Sequence, residues 1–361
     1  MRNFKVRALA GFFLAAAMFI TLSPLARAAD EKQWLVYEGG NGPGKGKNIV
    51  LISGDEEYRS EEALPELAAI LAKHHGFHCT VLFEIDPKTG EVAPEQHNNI
   101  PGLEALDKAD LMIIQTRFRA LPNDQMKHID DYLKSGKPVI GLRTATHAFT
   151  DLKGEYAKYN NGYGGPEKVW ADGFGRLVLG ERWVNHHGAH KSESTRGIFA
   201  PDAKNSPLLN GIKDGEIWGP TDVYEARLPM QSECTPIVLG EVDQRGGTYD
   251  GKSGDPFYGM RPTDKAVPGN KKNEPMMPVA WTKNYQLPDG KPGKSFTCTC
   301  WSALDMTNEP LRRLVVNAVY FLQDMKVPEK ADVAIVGDFK PSTFGFGGYQ
   351  KGKKPSDFEV K

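Results

Sequence analysis

The chain has 361 residues, with 45 lysines and arginines against 46 aspartates and glutamates and a formal net charge of −1. Charge this evenly balanced, with no basic cluster before the C-terminal stretch, excludes the electrostatic footprint of nucleic-acid binding and suits a small neutral ligand. Four cysteines, Cys79, Cys234, Cys298 and Cys300, are too few for a disulfide scaffold. Buried thiols are expected, with a Cys79–Cys234 bridge left open.

Arg2, Lys5 and Arg7 lead into the apolar run Ala8 to Leu22, and Ala26-Arg27-Ala28 places small residues where a signal peptidase cuts. Residues 1–28 are therefore expected to be a cleavable signal peptide of an exported, periplasmic or secreted protein. The run of about 15 apolar residues is shorter than the roughly 20 of a spanning helix, so no membrane association is expected after cleavage. Residues 29–46 read as an N-terminal extension and 47–327 as one α/β domain.

Asn48 to Ser53 is a short β-branched run that predicts a strand, and Ser60 to His75 follows with helical spacing at Leu64, Leu67, Ile70 and Leu71. Strands are then predicted at Thr80 to Ile85, Asp110 to Gln115 and Pro138 to Leu142, with a helix over Asn123 to Ser135. Runs apolar on both faces and separated by helices imply a mostly parallel sheet with helices on both faces. A helix is also expected over Pro166 to Leu179. Strand-like runs return at Thr235 to Val242, Met277 to Trp281 and Phe296 to Cys300, and Pro310 to Met325 closes with an amphipathic helix. Residues 244–273 read as a surface insertion, and 328–361, low in aliphatics, as a loosely ordered tail.

Ligands of open parallel sheets bind at the carboxyl ends of the strands, so the segments just after each strand hold the candidate residues. These are Asp55, Glu57 and Tyr58 after the first strand, Arg117 after the third, and Arg143, Thr144 and His147 after the fourth, together with His186, His187 and His190 in mid-chain. Arginine beside carboxylate suits hydroxyl and keto groups, and an imidazole moves protons at neutral pH. His147 is the candidate base, with Glu57, Asp222 or Glu225 as its acid partner. A non-catalytic binding protein would need the aromatics Tyr58, Phe118, Trp218 and Trp301, on which a ring can stack, but not that pair. His186, His187 and His190 would hold a divalent metal only if a further carboxylate or His147 joined them, because Gly188 breaks the helix on which they could converge. No cofactor is otherwise expected.

Five blocks carry a resemblance: LISGDEEYRSEEALPELAAIL, PVIGLRTATHAF, GERWVNHHGAH, IWGPTDVYEAR, and the end from MPVAWTKNY through FTCTCWSALDMTNEPLRRLVVNAVYFL. In order and spacing they resemble the ThuA-like, trehalose-utilisation domains of the class I glutamine amidotransferase-like superfamily. The resemblance runs from about Lys47 to Val327. It implies a flavodoxin-like, amidotransferase-type sandwich, a small-molecule carbohydrate as partner, and a place for Asp222, Tyr224 and Glu225 in an acidic and aromatic block. Amidotransferases carry a cysteine nucleophile on the turn that here reads Arg143, Thr144, Ala145 and Thr146. The chain should therefore act, by hydrolysis or elimination, without a thiol. Homo-oligomerisation stays open.

Overall fold

The computed structural model describes Met1, residues 32–252 and residues 254–361; the signal-peptide assignment to 1–28 falls, Met1 apart, outside the described residues. Ten strands form one sheet: β1 (Trp34–Tyr37), β2 (Asn48–Gly54), β3 (His78–Phe83), β4 (Leu111–Thr116), β5 (Val139–Leu142), β6 (Glu193–Phe199), β7 (Ile217–Gly219), β8 (Cys234–Gln244), β9 (Met277–Tyr285) and β10 (Gly293–Cys298). Their order is β1-β3-β2-β4-β5-β10-β9-β8-β6-β7. Among the described residues the α-helices are α1 (Ser60–His75), α2 (Asn123–Lys134) and α3 (Glu309–Leu322).

Each buried central strand sends alternate residues to opposite faces. Ile49 and Leu51 of β2 and Leu111 and Ile113 of β4 face the core built with α1 and α3. Val50, Ile52, Met112 and Ile114 face the one built with α2. Helices thus cover both faces, as expected. Helix α1 starts with Glu61 and Glu62 and ends with Lys73, His74 and His75, which suits its dipole, and Gly76 at φ 80° closes it by donating its N–H to the Ala72 carbonyl. Helix α3 is capped by Asn308, whose side chain accepts from the Leu311 N–H at 2.9 Å.

The sheet is parallel only through β3-β2-β4-β5-β10; from β10 through β9, β8, β6 and β7 every pairing is antiparallel, as is β1 on β3. The expectation of a mostly parallel sheet holds for the centre alone. Only residues 286–292 join β9 to β10, too few for a helical crossover, so that pair is a hairpin. The expected helix over 166–179 is absent. Asp172 and Gly173 sit consecutively in the left-handed region, at φ 69° and 76°, which leaves only a 3-10 turn at Lys168–Trp170 and a π turn at Gly175–Leu179. The extension before residue 47 supplies β1, which pairs with β3 at the sheet edge.

The C-terminal stretch also departs from expectation, because residues 328–361 are packed against the domain. Val333, Val336 and Phe344 are buried, the Val92 N–H donates to the Lys353 carbonyl, and the Val360 N–H donates to the Tyr37 hydroxyl at 3.0 Å. Residues 32–361 form one compact unit. All four cysteines are free thiols, so the Cys79–Cys234 bridge does not form; Cys79, Cys298 and Cys300 are buried. Among the described residues no helix is long and apolar enough to cross a membrane.

Candidate functional site

Strand β2 leads to β3 on one side of the sheet, while β4 lies on its other side. The loops after β2 and β4 therefore diverge and leave a crevice at their carboxyl ends. Asp55 opens the loop after β2. Its Oδ1 accepts the N–H groups of Glu57 at 2.7 Å and Tyr58 at 3.0 Å, and its Oδ2 accepts the Thr144 hydroxyl at 2.6 Å. Asp55 and Thr144 thus tie the β2 turn to the β5 turn, and both are buried.

Arg143, the first residue after β5, has φ 43°, a left-handed conformation uncommon outside glycine. Its fully buried guanidinium holds it there. One nitrogen donates to the Asp222 and Thr299 carbonyls, both at 2.7 Å, and the other to the Asp222 carboxylate at 2.9 Å and the Tyr58 hydroxyl at 3.1 Å. The guanidinium carbon also lies 3.7 Å from the Tyr224 ring centroid and 4.6 Å from that of Tyr58, close enough for the ring faces to attract it.

Asp222 is the hub. His186 Nδ1 lies 2.6 Å from its Oδ2, and His190 Nδ1 lies 3.0 Å from its Oδ1. The other nitrogen of His190 reaches the Glu57 carboxylate at 3.2 Å, so this imidazole bridges two acids. Burial works to raise the Asp222 pKa, but Arg143 and the two imidazoles outweigh it and hold the carboxyl well below the usual range. For His190 burial works downward, and the bonds to Asp222 and Glu57 outweigh it and push the pKa up. The imidazoles stand at the boundary with water: the side chains are 35% exposed at His186 and 26% at His190, whereas Asp222 is fully covered. Phe344, from the C-terminal stretch, lies 5.7 Å from the His190 ring and 5.5 Å from the Tyr58 ring. Gly345 donates its N–H to the Glu57 carbonyl at 2.8 Å, and Arg59 donates to the carbonyls of Thr343 and Gly345. The insertion takes part as well, through the Tyr258 hydroxyl, which donates to the Phe344 carbonyl.

His147 lies elsewhere in the crevice. It is 3% exposed, packed between Phe118 at 4.9 Å and Trp183 at 5.4 Å, with its Nδ1 3.2 Å from the Thr146 hydroxyl. Among the described residues no carboxylate hydrogen-bonds to it. Burial first, then the nearby Arg117 and Arg143, push its pKa well below 6.5. His187 does not join its neighbours either: its Nε2 is 2.6 Å from the Lys272 carbonyl in the insertion.

Arg117 pairs with Glu56, and its guanidinium sits between the Phe118 ring at 4.7 Å and the exposed Phe346 ring at 4.9 Å. Glu225 is held by its backbone, its N–H on the Asn185 carbonyl. Trp301 is fully buried in the core under α1 and α3, and Trp218 is buried with its indole donating to Ser194 at 3.2 Å. Neither can offer a face to a sugar ring.

The side chains that could hold a metal are His186, His190 and Asp222, whose ligand atoms lie within 4.8 Å of one another. Asp222 is the further carboxylate that the three-histidine reading required, and His187 drops out of the set. Trp183, Phe344, Phe346 and Tyr258 were not foreseen; the signal for two of them was the aromatic and glycine pattern FGFGGY, which reads as disorder on composition alone.

No family model and no curated protein matches the chain. Solved structures with a similar chain path include a ThuA-like protein from Bacteroides uniformis ATCC 8492, at 10% identity over 79% of this chain and 95% of that one, with a TM-score of 0.42. Another is the N-terminal domain of mmIFT52, at 11% identity over 78% and 99%, with a TM-score of 0.37. The chain is also similar to a ThuA-like protein from Parabacteroides merdae ATCC 43184, at 14% identity over 83% and 96%, with a TM-score of 0.43.

Proposed function

We propose that the chain is an exported enzyme acting on a sugar or keto-sugar, by hydrolysis or elimination, where Asp222, His186, His190 and Glu57 converge. The observation that carries this reading is the placement of His190 between two carboxylates at a solvent boundary. Acid–base chemistry needs an imidazole or carboxylate within hydrogen-bond reach of its partner and of substrate. The sealed His147 has neither an acid partner nor an open face. The sugar assignment rests on the resemblance of the five sequence blocks. The position rests on a flavodoxin-like strand order, in which the parallel strands, numbered by their place in the chain, read 2-1-3-4-5 and ligand binds at the switch point.

A thiol plays no part in this scheme. The turn that carries the nucleophile in amidotransferases presents Arg143, whose side chain clamps Asp222, and Thr144, whose hydroxyl is donated to Asp55. The test is turnover of a panel of disaccharides, trehalose among them, and their keto derivatives. His190→Ala and Asp222→Asn should each lower kcat/KM by at least about 100-fold, the scale of a lost acid–base group. Full activity in His190→Ala, or no turnover of any member of the panel, would remove the proposal. The Phe118, Arg117 and Phe346 stack supports a second reading, a carbohydrate-binding protein without catalysis. Its signature is sugar binding that His190→Ala leaves unchanged.

A further inference from the structure

The geometry points to a divalent transition-metal site formed by His186 Nδ1, His190 Nδ1 and one oxygen of Asp222, at the centre to which the preceding reading assigns the chemistry. Two imidazoles and one carboxylate are a donor set suited to zinc or to ferrous iron, with remaining positions open to water.

Four features of the cluster support it. The ligands come from two separate loops, yet their atoms already stand within 4.8 Å of one another, His186 Nδ1 being 2.6 Å from Asp222 Oδ2 and His190 Nδ1 3.0 Å from Asp222 Oδ1. Metal bonds of about 2.0 to 2.2 Å at tetrahedral angles place neighbouring ligand atoms about 3.3 Å apart, so each nitrogen–oxygen pair would widen by less than about 1 Å and the remaining pair, within 4.8 Å, would close by at most about 1.5 Å. Behind His190, the Glu57 carboxylate stands 3.2 Å from Nε2. That arrangement fixes the ring and directs the other nitrogen outward, as carboxylates do behind metal-bound histidines. Behind Asp222, the buried Arg143 donates to both its carboxylate and its carbonyl, so the carboxylate is oriented before any cation arrives. Finally, both imidazoles are part-exposed while Asp222 is covered, which leaves an open side for water or substrate. The Arg143 charge works against a cation, and Glu57 is the group that offsets it.

The experiment is calorimetric titration of the chelator-stripped mature protein with Zn²⁺, with no sugar present. One equivalent should bind. His186→Ala and His190→Ala, both at part-exposed positions and checked for folding by circular dichroism, should each weaken binding at least about 100-fold. Glu57→Gln should weaken it about 10- to 100-fold, as loss of the group behind a metal-bound histidine does, and His187→Ala should bind as the parent does. Cobalt(II) loading should give a visible spectrum of low coordination number in the parent and His187→Ala and none in His186→Ala or His190→Ala. Absence of stoichiometric binding in the parent, or binding that survives in both His186→Ala and His190→Ala, overturns the site. The two readings fail separately. Turnover that depends on His190 but survives chelation keeps the enzyme and removes the metal; one bound zinc with no sugar turned over keeps the metal and removes the sugar assignment.

Discussion

Glu61, the second residue of α1, has 0% of its surface exposed, and neither carboxylate oxygen has a hydrogen-bond partner. The closest cation is Arg59, 3.7 Å away. Burial pushes its pKa from 4.5 up to about 8, with Arg59 pulling the other way. The folded protein therefore keeps a proton that the unfolded chain releases at about pH 4.5. Between those two values the folded state binds more protons, so stability falls as pH rises, by at most about 1.4 kcal/mol per pH unit. Across the window the ceiling is about 5 kcal/mol, and relaxation around the ion brings the expected loss to about 2 to 3 kcal/mol. Glu61→Gln removes the ionisation and keeps the shape. Urea unfolding at pH 5.5, 7 and 9 should find the variant more stable than the parent by about 1 to 1.5 kcal/mol at pH 5.5 and by about 2 to 3 kcal/mol at pH 9. Glu66, pushed up to about 7, and Asp305, pushed up to about 6, act with the same sign in both proteins, so the difference between the two curves isolates Glu61. Parallel curves, or a variant less stable than the parent at pH 9, would refute the reasoning.

His147→Ala should destabilise the protein by about 2 kcal/mol, because it empties a buried, ring-lined position; an unchanged melting temperature would mean that the ring carries no packing there. Phe344→Ala should release the stretch around residue 344, seen as faster amide exchange over 340–350 with α1 and the sheet unchanged, since the ring anchors that stretch to Tyr58 and Tyr258. Exchange unchanged over 340–350 would show that the backbone bonds of Gly345 suffice. Alkylation of the folded protein should label Cys234 alone and leave turnover intact, because burial covers Cys79, Cys298 and Cys300; intact mass counts the labels, and activity lost on labelling without unfolding would put a thiol back in the mechanism.

Periodicity made the first half of the fold legible. Helix α1 spans the residues that its spacing predicts, and β2, β4 and β5 fall within a residue or so of the predicted runs, because each is a continuous apolar stretch bounded by a turn. The antiparallel half was legible as strands but not in its direction, which depends on connections and on pairing partners far apart in sequence. The site was harder to read. The rule that ligand sits after parallel strands named Arg143, Asp55 and Glu57 among the crevice residues; His190 came from the mid-chain histidine cluster and Asp222 from the block that carries the resemblance. The rule could not say which way His147 turns, and the ring packs into aromatics away from the carboxylates. Nor could spacing show that Asp222, 32 residues beyond His190, would be the carboxylate that joins it. The stretch 328–361 was misjudged for a different reason. Composition registers few apolar side chains, whereas its order comes from backbone bonds such as Gly345 to Glu57 and from a few anchors, Phe344 the deepest.

That anchoring sets an order of assembly. The sheet and its helices use residues up to 322, yet the wall beside His190 is finished only by Phe344 and Gly345. A ribosome releases those residues after the strands and helices, so the sheet can fold while the crevice still lacks one side. A chain cut after residue 335 would keep its main strands and lose that wall, and a bulky tag joined close behind residue 345 would press on it. Ligand affinity compared between full-length and shortened chains then becomes a direct measure of what the closing segment adds.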